Sequence, residues 1–216
     1  MFEDRHDAGR RLALAMQKYR DKNVVVLAVA RGGVPLGYHV ARHLHAEFDI
    51  VVARKLPYPH NSEAGFGAVA EDGTTYIFPD AFEQFDKETI KEVIHQQQEE
   101  VYRRIRALRA SNPLINIEKK TVILVDDGIA MGSTMRVCVM LCKNKRAKRI
   151  VIATPVSSEI TAKEFASLVD EVVVLDKPRY FRAVAQVYLN WSAVSDREII
   201  DLVHRWEYDK QRIIGH

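Results

Sequence analysis

The segment Val122-Ile123-Leu124-Val125-Asp126-Asp127-Gly128-Ile129-Ala130-Met131-Gly132-Ser133-Thr134 carries two adjacent carboxylates from an apolar run into a short loop of small residues. Main-chain N–H groups in a glycine-containing loop that opens a helix are oriented donors. The helix dipole adds positive potential, so such a turn favours a phosphate. Ser133 and Thr134 add hydroxyl donors. Carboxylates just ahead of the loop repel a phosphate, yet they are good acceptors for two vicinal hydroxyls on a sugar that carries it. The pattern therefore describes a ribose phosphate. An Asp-Asp pair by itself is a common turn and helix start; the order of strand, paired acids, small-residue loop and helix gives the pair its chemistry.

The elements that must position these residues follow from hydrophobic periodicity. Ala8, Leu12, Ala15, Met16 and Tyr19 fall at helical spacing over residues 3–19. Residues 24–30 are a continuous β-branched run, as expected of a strand covered on both faces of a parallel sheet. Arg31-Gly32-Gly33 breaks that strand, and a helix begins near Val34-Pro35, where proline suits a first turn. A second strand over 48–53 ends in Arg54-Lys55. Residues 56–75 are rich in Gly, Pro, His and Asn and read as a long flexible loop, a lid that closes over a site. Part of the region, 68–78, has the signal of a hairpin through Asp72-Gly73. His60 and Glu63 in the loop are assigned no role. Asp86 caps a long helix that stops at Asn112-Pro113. Further strands over 121–125, 149–154 and 171–175 alternate with helices over 133–143 and 161–168. The expected fold is α/β: a doubly wound, mostly parallel sheet in a single domain, 1–216, with the long flexible loop and a small C-terminal hood.

The acid-pair segment resembles the phosphoribosyl pyrophosphate (PRPP) signature of type I phosphoribosyltransferases, an apolar run followed by two acids and a Thr-Gly-x-Thr-like loop. The resemblance extends over the whole chain, to a less characterised subgroup of that family. It implies that Asp126 and Asp127 are the catalytic acids on the ribose hydroxyls. It implies too that Gly128, Ile129, Ala130, Met131, Gly132, Ser133 and Thr134 form the 5-phosphate loop. Met131 stands where the family usually carries Thr, which removes one side-chain donor. Ala130 stands where hypoxanthine-guanine members place an acid, which argues against a 6-oxopurine. Arg31, Gly32 and Gly33 occupy the position of the pyrophosphate loop, with Arg54 and Lys55 beside it, so three cations face an anionic leaving group. Tyr180 and Phe181, after the last core strand, are expected to stack on the base. The resemblance further implies a cytoplasmic homodimer working in nucleotide salvage. Its substrates are PRPP and a small-molecule base, and it uses Mg2+ bound mainly through PRPP rather than by protein ligands. The alternative on the same fold is a non-catalytic PRPP- or nucleotide-sensing regulator.

Composition sets the outer bounds. The 216 residues have 47% hydrophobic and 28% charged side chains, the profile of an ordinary globular protein. Thirty-two basic and 29 acidic residues give a net charge of +3, too even a balance for a dedicated nucleic-acid binder. The cluster Arg103, Arg104, Arg106 and Arg109 reads as a solvated helix face balanced by Glu99 and Glu100. Cys138 and Cys142 lack the further ligands of a zinc site and are expected to be buried thiols. Residues 1–14 contain no apolar run, so neither a secretory signal nor a membrane span is expected there.

Overall fold

A computed structural model describes residues 1–213, apart from the side chains of Ser62, Glu63 and Ile213. Glu63, named above, and residues 214–216 therefore lie outside the described residues. Along the chain run α1 (Arg5–Ala15), β1 (Val24–Val29), α2 (Gly33–Leu44), β2 (Glu47–Val51), β3 (Ala53–Tyr58), β4 (Asn61–Ala70), β5 (Thr75–Ile77), α3 (Ala81–Gln84) and α4 (Lys87–Arg109). There follow β6 (Thr121–Val125), α5 (Ser133–Asn144), β7 (Arg149–Val156), α6 (Glu159–Ala166), β8 (Glu171–Asp176) and α7 (Asp196–Ile213).

The apolar runs form a five-stranded sheet in the order β2-β1-β6-β7-β8, every neighbouring pair parallel. β1 is buried at every position, and its residues alternate between two cores. Val24, Val26 and Ala28 join the side covered by α1, α2 and α7, whereas Val25, Leu27 and Val29 join the side covered by α5. That double cover is why the run carries no polar residues. After β1 the chain steps outward to β2, and β6 then pairs on the opposite side of β1. The order reverses between β1 and β6, so their carboxyl ends open the crevice where ligands bind in such sheets.

The segment read as a long flexible loop is ordered. Residues 53–77 form a second, antiparallel sheet in the order β3-β4-β5, packed against α4 and α5. Its glycines serve close strand packing rather than looseness: a Cβ on Gly67 would lie 2.2 Å from the carbonyl of Tyr76, and one on Gly65 2.3 Å from the Lys55 side chain. Phe66, Ala68, Val69 and Ala70 are buried. The Asp72-Gly73 hairpin is present, with Gly73 at φ +83°. The predicted second strand divides at Val52, which leaves one sheet and enters the other.

The C-terminal helix α7 was not foreseen. Ile199, Leu202 and Trp206 lie on its buried face, and Trp206 meets Phe48 edge-on at a centroid distance of 5.5 Å. Cys138 and Cys142 are free and buried, and burial pushes the Cys142 thiol up to about 12. Among the described residues no helix is long and apolar enough to cross a membrane. Trp206 is 2% exposed and closes the β2 edge of the core, so Trp206→Ala is expected to destabilise the fold by about 3–5 kcal/mol in denaturant unfolding.

Candidate active site

Asp126 and Asp127 follow β6 directly, at the reversal point of the sheet. The Asp127 amide donates to Oδ1 of Asp126 at 2.9 Å, which fixes the turn. Oδ2 of Asp127 accepts from Nε of Arg5 at 2.8 Å, and the Tyr188 hydroxyl donates to the main-chain oxygen of Asp127 at 2.7 Å. Burial, then the neighbouring Asp127 charge, pushes the Asp126 carboxyl well above the ordinary carboxylate range. Burial also raises Asp127, and the Arg5 guanidinium opposes that rise. The Tyr188 phenol is raised too, by burial and then by Asp127.

The loop after the acids opens α5. Gly132 caps the helix at φ +80°, a left-handed conformation that glycine adopts without strain. The Ile129 side chain is buried, while Met131 is 65% exposed at the rim. A cavity of about 550 Å³ lies over this loop, lined by residues 128–135 together with Lys55, Asn61, Asp126, Arg182 and Val184. A second cavity of about 330 Å³ is ringed by Arg5, Arg31, Arg54, Lys55 and Arg104. The two meet at Lys55, Asp126 and Thr134, so one cleft has a half over the 128–134 loop and a cationic half.

Arg31, Gly32 and Gly33 reach the cleft from the end of β1, where the Ala30–Arg31 peptide is cis. Gly32 lies against the acid pair: a Cβ there would sit 2.1 Å from Oδ2 of Asp127, so only glycine lets the two loops touch. Arg31 is 3.4 Å from Asp196 at the start of α7. Arg54 donates to Gln97 at 3.2 Å, and burial, then Arg104, lowers its pKa. Tyr180 and Phe181 are not brought to the cleft. Tyr180 is 78% exposed and Phe181 packs on the core, while Arg182 and Val184 line the cavity instead.

Several site residues escaped the sequence. Arg104 was read as solvated, but it is buried on α4, bonded to Glu100 at 2.9 Å, and lines the cationic half. Arg109 is buried as well, donating to Glu71 at 2.7 Å. The amphipathic stripe of α4 turns slowly around a long helix, so an arginine near its edge is placed only by packing. Arg5 and Tyr188 carry no local signal. They reach Asp127 because residues 2–3 pair with residues 187–190: Phe2 donates to Val187 at 2.8 Å, Leu189 to Phe2 at 2.9 Å and Asn190 to Glu3 at 2.8 Å.

Among the described residues no group of three or more His, Cys, Asp or Glu side chains is placed to hold a metal ion. Among the described residues the carboxylates lining the cleft are Asp126 and Asp127, and Arg5 already occupies an oxygen of the second.

The fold and cleft define a doubly wound α/β protein with a crevice lined by paired acids and cations at its topological switch point. The phosphoribosyl transferase domain model matches residues 4–189. A protein of Mycobacterium tuberculosis H37Rv named "Putative phosphoribosyl transferase" is 36% identical over 211 residues, a match that covers 97% of this chain and 48% of that protein. The chain thus spans about half the length of the curated relatives it matches. The crystal structure of TT1426 from Thermus thermophilus superposes with a TM-score of 0.79 at 33% identity, over 95% of this chain and 98% of that one. The chain belongs to the type I phosphoribosyl transferase family.

The raised Asp126 carboxyl sets a pH dependence. A group whose folded-state pKa lies above its ordinary value stabilises the fold below that ordinary value, and the contribution is lost as pH rises through the folded one. Asp126→Asn keeps the acceptor oxygen and removes the charge. The variant is expected to melt above the wild type at about pH 8 and to converge with it near about pH 4, followed by calorimetry.

Proposed function

We propose that the chain transfers the 5-phosphoribosyl group of PRPP to a nitrogen nucleophile, a nucleobase, with release of pyrophosphate. The observation that carries this reading is that a cavity over the 128–134 loop and a cationic cavity meet at Asp126. The 5-phosphate is assigned to the loop from Gly128 to Thr134, which opens α5. The ribose hydroxyls are assigned to Asp126 and Asp127, and the pyrophosphate to the half ringed by Arg31, Arg54, Lys55 and Arg104.

In such a transfer the bond from the anomeric carbon to a pyrophosphate oxygen breaks, the nitrogen attacks from the opposite face, and the configuration inverts. Positive charge develops on the sugar and negative charge on the leaving group. Fixed cations near the departing oxygens stabilise that separation without reorganising. The acids hold the sugar so that the anomeric carbon faces the acceptor. Where Mg2+ comes with the substrate's phosphates, it would supply further charge neutralisation beside Arg31, Arg54, Lys55 and Arg104. Arg182 and Val184, rather than the aromatic pair after β8, border the remaining space for the acceptor.

Titration calorimetry of PRPP, with and without Mg2+, tests the reading. Asp127→Asn is expected to fold normally and to bind PRPP about tenfold or more weakly, the loss of one charge-assisted hydrogen bond of about 1.5–3 kcal/mol. Unchanged affinity would remove the ribose assignment. Tight binding without pyrophosphate release for any base would instead favour a PRPP-sensing regulator.

A further inference from the structure

The contact between Arg5 and Asp127 spans 122 residues of sequence and is built with more support than a surface ion pair needs. The Arg5 side chain is 10% exposed. Nε donates to Oδ2 of Asp127 at 2.8 Å, and Nη1 donates to the carbonyl of Ser192 at 2.7 Å. The guanidinium lies 3.8 Å above the ring of Trp191, and Trp191 in turn packs on Tyr188 at 5.0 Å. Tyr188 bonds the main chain of Asp127. Residues 2–5 and 187–192 therefore form a strap that grips the second acid by its side chain and its backbone at once.

We propose that Arg5 is a positioning residue for PRPP binding, keeping Asp127 charged and its carboxylate aimed at a sugar hydroxyl. This rests on the ribose role of Asp127 proposed above. With Oδ2 bonded to Arg5, Oδ1 of Asp127 has lone pairs for the neighbouring Asp126 carboxyl and for a ligand hydroxyl. Two carboxylates side by side in a buried turn repel each other; burial raises both, and Arg5 is the first of the groups that oppose the rise at Asp127. A protonated acid is a poorer acceptor for a sugar hydroxyl.

The other arginines around the pair are bonded elsewhere. From the end of β1, Arg31 pairs with Asp196; from β3, Arg54 bonds Gln97; from α4, Arg104 bonds Glu100. Lys55 of β3 lines both cavities. Cys138 of α5 and Tyr188 face the pair as neutral groups, each with its pKa raised by burial first. Of the arginines lining the cleft, Arg5 is the one bonded to an acid of the pair.

The test compares wild type with R5Q, R5K and W191A. Carbon-13 NMR of aspartate-labelled protein follows titration of the acid pair, and calorimetry follows PRPP affinity against pH. In R5Q the pair is expected to titrate at higher pH, and PRPP affinity at about pH 7 to fall about tenfold or more. R5K, which keeps the charge, should recover most of the titration and part of the affinity. W191A removes the stacking surface at a partly exposed position, so it serves if R5Q folds poorly; its titration should move the same way by less. An acid pair that titrates identically in wild type, R5Q and W191A overturns the inference. A shifted titration in a protein whose wild type binds no PRPP would sustain the Arg5–Asp127 coupling and overturn the ribose reading.

Discussion

Two carboxylates held side by side at the end of a central parallel strand are costly, because burial and mutual repulsion both disfavour their charged forms. The surrounding structure is organised around that cost. Gly32 removes the one Cβ that would occupy the space of the Asp127 carboxylate. Arg5 supplies a cation and Tyr188 a hydroxyl donor, each delivered by the strap. The strap exists because residues 2–3 pair with residues 187–190, so a charge on one strand end ties together the beginning and the last quarter of the described chain.

A second polar junction joins the two sheets. Arg109 at the end of α4 donates to the carbonyl of Ile50 in β2 at 3.0 Å and to Glu71 beyond β4 at 2.7 Å. Glu71 also accepts from the amide of Val52, the residue between the sheets, at 2.8 Å. Burial raises the Glu71 carboxyl and Arg109 opposes it. Such a buried pair adds little net stability, but removing either partner strands the other charge. Here its geometry fixes how the antiparallel sheet sits beside the parallel one, and so where Arg54 and Lys55 enter the cleft.

Much of this was legible in the residues. Continuous β-branched runs announce strands covered on both faces, and the Asp86 cap, the Asp72-Gly73 turn and the helix after Gly132 appear where local chemistry puts them. The acid pair was legible because strand, carboxylates and phosphate loop are contiguous. The misreadings have a common cause. Residues 56–75 looked loose because Gly65, Gly67 and Pro57 are loop residues by composition, yet in a sheet glycine also marks close approach, and only the neighbouring strand tells which. Arg104 and Arg109 looked solvated because sequence reports charge but not the carboxylates that meet it. Tyr180 looked like a base contact by its position in the chain, whereas the turn after β8 directs it to solvent.

The sequence by itself determined the strands, the small-residue loop that opens α5 and the acid pair ahead of it, because each depends on interactions among residues a few positions apart. Tertiary structure alone decided the pairing of β1 with β6, the contact of Gly32 with Asp127, the ordering of the second sheet and the arrival of Arg5 and Tyr188 at the acid pair. Those depend on contacts between residues tens to more than a hundred positions apart. No local periodicity encodes such contacts; packing of the whole core selects them.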